Sequence, residues 1–235
     1  MKVAIMQPYF FPYLGYFSLI ANTDFFVFFD TPQYTPRSWM NRNRIINLNQ
    51  GFTYITAAVQ KAPQKTPIKD ILLAEPDLWD KKLLAQLTVY KKIAPYYKQT
   101  ANLIKQIASK PHTKLSDLNI DATVAVCEYL GISLHTDIFS KMDLTLGEVC
   151  ASDEWTLQIA KVLGYDTYVN PPGGMSFYDR EKYSKNGVEL QFLQVDLKPY
   201  DQRIGRFESG LSIIDVMMFC SLDEIREMLG AYTLL

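Results

Sequence analysis

Short apolar runs alternate with segments of helical spacing along this chain. The runs are rich in β-branched and aromatic residues, which is typical of strands buried on both faces of a parallel sheet. They cover residues 3–6, 25–29, 52–59, 132–136, 167–170 and 188–195. Apolar positions at helical spacing cover residues 16–20, 77–109, 116–130, 152–163, 212–220 and 222–229. The alternation predicts an α/β protein with a Rossmann-like parallel sheet and a helical insertion around residues 77–130.

Individual residues mark the ends of the helical segments. Pro95 interrupts the first long segment, and Gly131 follows the next one as a left-handed C-terminal cap. Ser152 is predicted to be the N-cap of a third helix. Ser221 and Glu224 have the spacing of a capping box at the start of the last one.

The composition is that of a folded domain. Hydrophobic residues make up 48% and charged residues 21% of the chain, which is enough apolar material for a sizeable core. No repeat, low-complexity segment or flexible linker divides the sequence, so a single domain over residues 1–235 is predicted, with the insertion at about 77–130 as part of it. The net charge of −1 offers no general attraction to a polyanion, so nucleic acid is not an expected partner.

The sequence does not favour a membrane protein, a disulfide-stabilised protein or a metalloprotein. No apolar stretch approaches the roughly 18–20 residues of a membrane span, and prolines and Gln7 interrupt the N-terminal segment where a signal peptide would be apolar. Three cysteines, at positions 127, 150 and 220, predict neither a disulfide framework nor a zinc site and are expected in the core. His112 is expected at the surface, and no metal site is predicted. The expected location is the cytoplasm.

Ligands of open α/β sheets bind beyond the carboxyl ends of the strands, so the loops that follow the predicted strands are candidate sites. Twelve of the 31 aromatic residues lie in the first 40 positions. The first loop, residues 7–16, ends in a glycine at a helix start, where an anion is favoured. Its candidate binding residues are Gln7, Tyr9, Tyr13 and Gly15, and Tyr16 is a candidate catalytic residue. The alternative is a rigid loop that only packs.

The second loop, residues 30–44, holds three of the seven arginines and no acid after its first residue. Arg37, Arg42 and Arg44 form a cationic cluster suited to bidentate recognition of phosphate or carboxylate. Asp30 and Arg42 are candidate catalytic residues. The candidate binding residues are Gln33, Tyr34, Trp39, Asn41, Asn43 and Arg44. The alternative is an exposed hairpin whose arginines are only solvated.

Two later segments are weaker candidates. After the strand at 167–170, a Pro-Pro-Gly-Gly turn could cradle an anion or a sugar, with Ser176 capping a following helix. The candidates there are Gly173, Gly174 and Tyr178. The last segment contributes Tyr200, Gln202, Ser212 and Asp215 as candidates, although the spacing of Ser212 and Asp215 favours a capping box alone.

Four stretches resemble the WbqC-like family. They are IMQPYFFPYLGYFSLI, DFFVFFDTPQYTPRSWMNRNRI, YVNPPGGMSFYDREKY and KPYDQRIGRFESGLSIIDVM, and they run from residue 5 to about 218 in the order of the family. Members of the family are bacterial and are often associated with gene clusters for O-antigen or other surface polysaccharides. The resemblance therefore implies a role in surface-polysaccharide biosynthesis.

The first βαβ unit is more distantly similar to the class I nucleotidyltransferase-like fold, as in pantothenate synthetase. The HxGH-type signature of that fold corresponds here to Tyr13-Leu14-Gly15-Tyr16. In that superfamily the histidines contact nucleotide phosphates, whereas a neutral phenol cannot supply the imidazolium charge. The replacement argues against standard nucleotidyl transfer, although Arg42 and Arg44 could compensate electrostatically.

Three functions remain open at this stage. The favoured one is an enzyme, such as a nucleotidyl-, acyl- or aminoacyl-transferase, that binds a nucleotide sugar, an activated acyl donor or another small molecule with a phosphate or carboxylate. In it Arg42 and Arg44 clamp the anion, Asp30 acts as a base or holds a hydroxyl or an ammonium group, and a nucleotide is the candidate cofactor. The second is a non-catalytic binding or scaffold protein on a degenerate nucleotidyltransferase-like fold. The third is an RNA-binding module that uses the basic, aromatic segment 34–44.

Overall fold

A six-stranded, mostly parallel sheet forms the centre of the protein in this computed structural model, which describes residues 1–49 and 51–235. The strands are β1 (Lys2–Met6), β2 (Phe25–Phe28), β3 (Arg42–Ile46), β4 (Phe52–Thr56), β5 (Thr136–Ile138), β6 (Thr167–Asn170), β7 (Glu189–Val195) and β8 (Tyr232–Leu234). The order in the central sheet is β5-β2-β1-β6-β7-β8, and only β8 is antiparallel to its neighbour. The predicted Rossmann-like α/β class is therefore confirmed.

The direction of strand addition reverses at β1. The chain passes from β1 to β2 and later to β5 on one side, and then adds β6 and β7 on the other side. Val3 pairs with Phe25 of β2 and with Tyr168 of β6. The crevice at which such sheets bind ligands thus lies beyond Met6 and Asn170, the last residues of β1 and β6.

Helices cover both faces of the sheet. They are α1 (Leu14–Ala21), α2 (Trp79–Gln86), α3 (Tyr97–Ala108), α4 (Leu115–Leu130), α5 (Glu154–Val162), α6 (Arg180–Lys185), α7 (Ile213–Phe219) and α8 (Leu222–Gly230). Because side chains alternate along a strand, Ala4 packs into the larger core with α1, α4, α7 and α8, while Val3 and Ile5 pack into a smaller core with α5 and α6. None of the helices in the described part of the chain is long and apolar enough to cross a bilayer.

Several predicted boundaries agree with the structure. The helical pattern of 77–109 is broken around Pro95, between a 3₁₀ turn that ends at Tyr90 and the start of α3. Gly131 follows α4 with a φ of 72°, and Ser221 and Glu224 form the capping box of α8. These features depend on the local sequence alone, which explains the agreement.

The region 42–56 differs from the prediction. The predicted strand 52–59 is shortened to β4 and does not join the central sheet, because it pairs with β3 in a separate antiparallel hairpin. Arg44 lies opposite Tyr54 in this hairpin. β3, α6 and β8 have no counterpart in the sequence-based assignment, and β5 lies at 136–138 rather than at 132–136.

Three assignments of single residues were wrong. His112 is buried, not at the surface, because its ring bonds to Asp121 at 3.1 Å and meets the Trp79 ring edge-on. Cys150 is exposed, whereas the other two cysteines are buried as expected. α5 begins at Glu154 after Asp153, so Ser152 is not its N-cap.

Candidate functional site

A pocket of about 230 Å³ opens beyond the carboxyl ends of β1 and β7. It is built from the loop after β1, from the start of the hairpin and from two residues of the segment that follows β7. The lining residues are Tyr9, Pro12, Tyr13, Trp39, Asn43, Arg44, Leu197 and Gly210. Five of them were predicted from the sequence as binding residues: Tyr9, Tyr13, Trp39, Asn43 and Arg44.

A depression of about 300 Å³ lies elsewhere, beside Arg180 and the residues 187–190 that lead into β7. It is at the amino end of the strand, whereas ligands of parallel sheets bind at the carboxyl ends. The pocket at Arg44 is therefore the candidate site.

Hydrogen bonds from distant residues shape the loop after β1. The Asn43 Nδ2 donates to the carbonyl oxygens of Phe10 and Phe11 at 3.1 and 2.9 Å, and the Ser212 Oγ donates to the Phe11 carbonyl at 2.7 Å. Phe11 has a φ of 41°, a left-handed conformation that costs a non-glycine residue of order 1–3 kcal/mol. The pocket wall is thus held in a strained shape by side chains from β3 and from the N-cap of α7.

Gly15 makes room for Tyr13. A Cβ atom on residue 15 would lie 2.5 Å from three atoms of the Tyr13 ring and hydroxyl. The glycine therefore allows a close approach, as expected, but the approaching group is the phenol that forms one wall of the pocket. The ring lies over the first turn of α1, where the sequence had suggested an anion.

The guanidinium of Arg44 is held on three sides. Its Nη2 donates to the Gly210 carbonyl at 2.9 Å, and its carbon atom Cζ lies 4.7 Å from the Phe52 ring centroid and 5.4 Å from that of Trp39. Arg42, two residues earlier, stacks on Tyr54 at 4.1 Å. Within the described residues, no carboxylate oxygen lies within 4.0 Å of either guanidinium. The charge of Arg44 at the pocket is therefore uncompensated and fixed in place.

The third arginine of the predicted cluster is different. Arg37 is exposed, and in the part of the chain that the structure describes it makes neither an ion pair nor a ring contact. It does not line the pocket. The hairpin thus brings two arginines together and leaves the third in solvent.

The phenols of the pocket are neutral hydrogen-bonding groups. Burial raises the pKa of Tyr9 and, to a smaller degree, so do the nearby phenols of Tyr13 and Tyr178. Burial also raises the pKa of Tyr13. Tyr178, which belongs to the loop after β6, is thus close enough to Tyr9 to influence its pKa.

The loop after β6 is closely packed. The Gly174 N–H bonds to the Pro171 carbonyl, and a Cβ at this glycine would lie 2.5 Å from the Asn170 amide. The next helix, α6, is capped by Asp179, so Ser176 does not have the predicted capping role. Gly173 is exposed, and Tyr178 packs among other aromatic rings. The loop borders the switch point without lining the pocket.

Two of the predicted catalytic residues have structural partners. The Tyr16 hydroxyl is buried and donates to the Gln7 carbonyl at 2.9 Å, and burial raises its pKa well above the usual value. The Asp30 carboxylate is buried and accepts hydrogen bonds from the Ser140 N–H at 3.0 Å and from its hydroxyl at 2.6 Å. Tyr16 thus supports the loop after β1, and Asp30 joins β2 to the turn after β5.

Three further candidates, Gln33, Tyr34 and Asn41, do not line the pocket. Gln33 and Tyr34 belong to a segment that pairs with residues 66–67, through a bridge to Pro67 and a hydrogen bond to the Thr66 carbonyl. Asn41 is buried, and its Nδ2 donates to the Ala57 carbonyl at 3.3 Å. These residues support the start of the hairpin.

Asp215 is a buried carboxylate with neutral partners. It accepts hydrogen bonds from the Tyr90 hydroxyl at 2.5 Å, the Tyr200 hydroxyl at 2.6 Å and the Gln202 amide at 2.8 Å. Burial raises its pKa, and these hydrogen bonds offset part of the shift. The capping interpretation is right for Ser212, which accepts from the Ile214 N–H, and wrong for Asp215.

Several residues that line the pocket or contact a predicted candidate residue were not identified from the sequence. Leu197 carries no chemical signal, and Tyr90 lies in a helical region far from the predicted loops. Phe52 and Tyr54 had a signal, since they alternate with Thr53 and Ile55 as on a half-exposed strand. Among the described residues, no group of three His, Cys, Asp or Glu side chains is placed to hold a metal ion.

The fold and the site define the class of protein. It is a Rossmann-like α/β protein with an aromatic, cationic pocket at the carboxyl ends of its strands. The chain belongs to the WbqC-like protein family, whose model matches residues 7–227. It is 33% identical over 219 residues to the uncharacterized protein Rv1507c of Mycobacterium tuberculosis, and the match covers 92% of each chain. No solved structure gives a significant match.

Proposed function

We propose that the pocket binds a small molecule with a phosphate or carboxylate group, such as a nucleotide sugar or an activated acyl donor, in bacterial surface-polysaccharide biosynthesis. The observation that carries the proposal is the guanidinium of Arg44, fixed at the pocket with no carboxylate partner among the described residues. A fixed cation at a half-buried site attracts an anion more strongly than a solvated one, because little entropy is lost and little solvent screens the charge. The resemblance to the WbqC-like family supports the pathway.

The walls of the pocket support a ligand with a flat face and hydroxyl groups. Tyr9, Tyr13 and Trp39 contribute rings, and the two phenols can exchange hydrogen bonds with a polar ligand. A sugar has both an apolar C–H face and hydroxyls. Nucleotide sugars and activated acyl donors are made in the cytoplasm, where we expect the protein to act.

The volume of the pocket limits what it can hold. Pockets for drug-sized ligands measure roughly 300–1,000 Å³, and this one measures about 230 Å³. It therefore suits one sugar or one acyl group with its anion, and the remainder of a larger donor must extend outside.

The lining favours a binding role over proton-transfer catalysis. Among the described residues that line the pocket there is no carboxylate, histidine or cysteine, and the pKa values of Tyr9 and Tyr13 are raised away from neutrality. General acid–base catalysis needs a group with a pKa near the working pH. A non-catalytic binding protein is thus the favoured form of the proposal, and a transferase that needs no proton acceptor from this pocket is the second candidate.

Calorimetric titration with glucose 1-phosphate, UDP-glucose and acetyl-CoA tests the binding. We expect the wild-type protein to bind at least one of them, and Arg44→Gln to weaken that binding at least about tenfold, since a charge-assisted hydrogen bond is lost. Arg44→Lys should restore part of the affinity. Arg37→Gln is the matched control, because it makes the same charge change on an exposed residue outside the pocket.

Equal affinities of the wild type and Arg44→Gln, with unchanged thermal unfolding, would show that Arg44 does not hold the anion. Failure of every probe to bind the wild type would reject the proposed function. Turnover of any probe by the purified wild type would replace the binding role by the transferase.

A further inference from the structure

The outer face of the β3–β4 hairpin carries exposed aromatic rings and arginines. Phe52 and Tyr54 are 37% and 38% exposed, although both carry large aromatic rings. Arg44 stacks on the first ring and Arg42 on the second. We call these four residues the hairpin face.

The hairpin face continues directly into the pocket. Arg44 belongs to both, and Trp39, which is 42% exposed, lies on the pocket side of Arg44. A ligand that fills the pocket of about 230 Å³ and extends beyond Arg44 reaches the hairpin face. The two surfaces are therefore one continuous site in space.

The stacked arginines are arranged for anions. An arginine that packs its flat face on a ring keeps its N–H groups at the edge of the guanidinium, where they can bind phosphate oxygens in plane. Arg42 and Arg44 are two residues apart on one strand. Their Cα atoms are therefore about 6.6 Å apart, and their side chains lie on the same face of the hairpin. Arg206 approaches the same hairpin, with its Nη2 donating to the Asn47 carbonyl at 3.0 Å.

The local charge stands out against the whole chain. The protein has a net charge of −1, yet in the described parts of the chain these three arginines have no carboxylate partner within 4.0 Å. Paired positive charges next to exposed rings complement a ligand that carries paired negative charges and a planar ring. A nucleoside diphosphate has both.

We infer that the hairpin face binds the nucleoside diphosphate part of a nucleotide-linked donor, while the pocket holds the group attached to the terminal phosphate. The diphosphate lies along Arg44 and Arg42, and the base stacks on the exposed ring of Tyr54, next to Arg42. Because the pocket begins at Arg44, the group attached to the terminal phosphate directly follows the diphosphate, as in a nucleotide sugar. In a coenzyme A thioester a long pantetheine arm separates the two. The inference rests on the proposed function and narrows its ligand.

Competition between ligand fragments tests this division of the site. We expect UDP-glucose and ADP-glucose to bind at least about tenfold more tightly than glucose 1-phosphate, because they add base stacking and a second phosphate. Tyr54→Ala should remove about fivefold or more of the UDP-glucose affinity and leave glucose 1-phosphate unchanged. Tyr54→Phe, which retains the ring, should behave like the wild type.

A variant of Arg42 tests whether this residue binds the second phosphate of the nucleotide. Arg42→Gln should weaken UDP and UDP-glucose while leaving glucose 1-phosphate within about twofold of the wild type. The matched control is again Arg37→Gln, which should affect none of the probes. Thermal unfolding of each variant checks that the hairpin is intact.

The outcomes that overturn the inference differ from those that reject the proposed function. If glucose 1-phosphate binds through Arg44 but UDP-glucose binds no more tightly, the hairpin face is not a nucleotide subsite and the proposed function stands. Acetyl-CoA binding tighter than both nucleotide sugars would overturn the sugar assignment. Tighter, strongly salt-dependent binding of a ten-residue oligouridylate would show that the face binds single-stranded nucleic acid instead. If no probe binds, both proposals fail.

Discussion

The phenol ring of Tyr13 lies across Gly15, so that a Cβ atom at residue 15 would be only 2.5 Å from the ring. One residue is in the first turn of α1 and the other forms a wall of the pocket. The start of the helix and the shape of the pocket are thereby coupled. A substitution at the glycine should change binding through the tyrosine without touching a ligand itself.

We expect Gly15→Ala to push the Tyr13 ring out of place. The ring is half-buried and can swing toward the pocket, so the stability should fall by only about 1 kcal/mol while the affinity for pocket ligands falls more. In a Tyr13→Ala background the same substitution should instead stabilise the protein by about 0.4–1 kcal/mol, because alanine reduces the entropy of the unfolded chain. Urea unfolding of the four proteins measures the coupling. Equal effects in the two backgrounds would contradict it.

The stability should depend on pH through Asp215. Burial raises its pKa in the folded protein above the value near 3.9 of an unfolded chain, so the folded state binds a proton more readily. This contribution to stability is complete below about pH 3.9 and is lost as the pH rises through the folded-state pKa. We therefore expect the free energy of unfolding of the wild type, minus that of Asp215→Asn, to increase as the pH falls from 7 towards 4.

Denaturant unfolding at several pH values measures this difference. Asp143→Asn, on an exposed residue, controls for the change in net charge. A difference between wild type and Asp215→Asn that stays constant, or shrinks at low pH, would show that burial does not control the proton on Asp215.

Tyr90 should matter more to stability than Tyr200. The Tyr90 hydroxyl donates to one oxygen of Asp215 and accepts the Ile46 N–H at 3.1 Å, so Tyr90→Phe leaves two buried groups without this partner. The Tyr200 hydroxyl donates to the other oxygen, which also receives the Gln202 amide. We expect losses of about 2–3 kcal/mol for Tyr90→Phe and about 1 kcal/mol for Tyr200→Phe in urea unfolding. The reverse order would contradict this arrangement.

Asn43→Asp should strongly destabilise the loop after β1. It places a carboxylate oxygen against the Phe10 and Phe11 carbonyls, to which the amide Nδ2 now donates. The Phe10 carbonyl loses this donor, and the Phe11 carbonyl keeps only the hydrogen bond from the Ser212 Oγ. We expect a loss of about 3 kcal/mol or more at pH 7, and a smaller loss at low pH where the introduced acid is protonated. Asn41→Asp is the matched control, since it replaces one longer hydrogen bond and should cost less. Unfolding monitored by tyrosine and tryptophan fluorescence compares the two variants.

The strands next to the site could be predicted because their signal is local. Residues 3–6, 25–29, 167–170 and 188–195 were predicted as strands, and β1, β2, β6 and β7 end within one residue of those limits. A continuous apolar run between polar residues is typical of a strand buried on both faces. β3 is stabilised by its pairing with β4, and its sequence mixes charged, polar and apolar residues. For this reason β3 was not predicted from the sequence.

The candidate site was predicted only in part, because residue type does not reveal the partner. Tyr13 and Tyr16 look equivalent in the sequence, yet one lines the pocket and the other donates to a backbone carbonyl in the core. Asp30 and Asp215 look like available acids, and both are buried acceptors of hydrogen bonds. Such partners come from distant positions, as Tyr90 does for Asp215 across 125 residues.

The sequence by itself determined the α/β class, the strands around the switch point and the concentration of aromatic residues and arginines in the first loops. Apolar periodicity and capping residues are sufficient for that, since they act over a few neighbouring positions. Only the tertiary structure decided that Arg44 lies at the pocket while Arg37 lies in solvent, and that Gly210 and Leu197 complete the lining. The physical reason is that burial and hydrogen bonding are satisfied by groups brought together in space, whichever part of the chain supplies them.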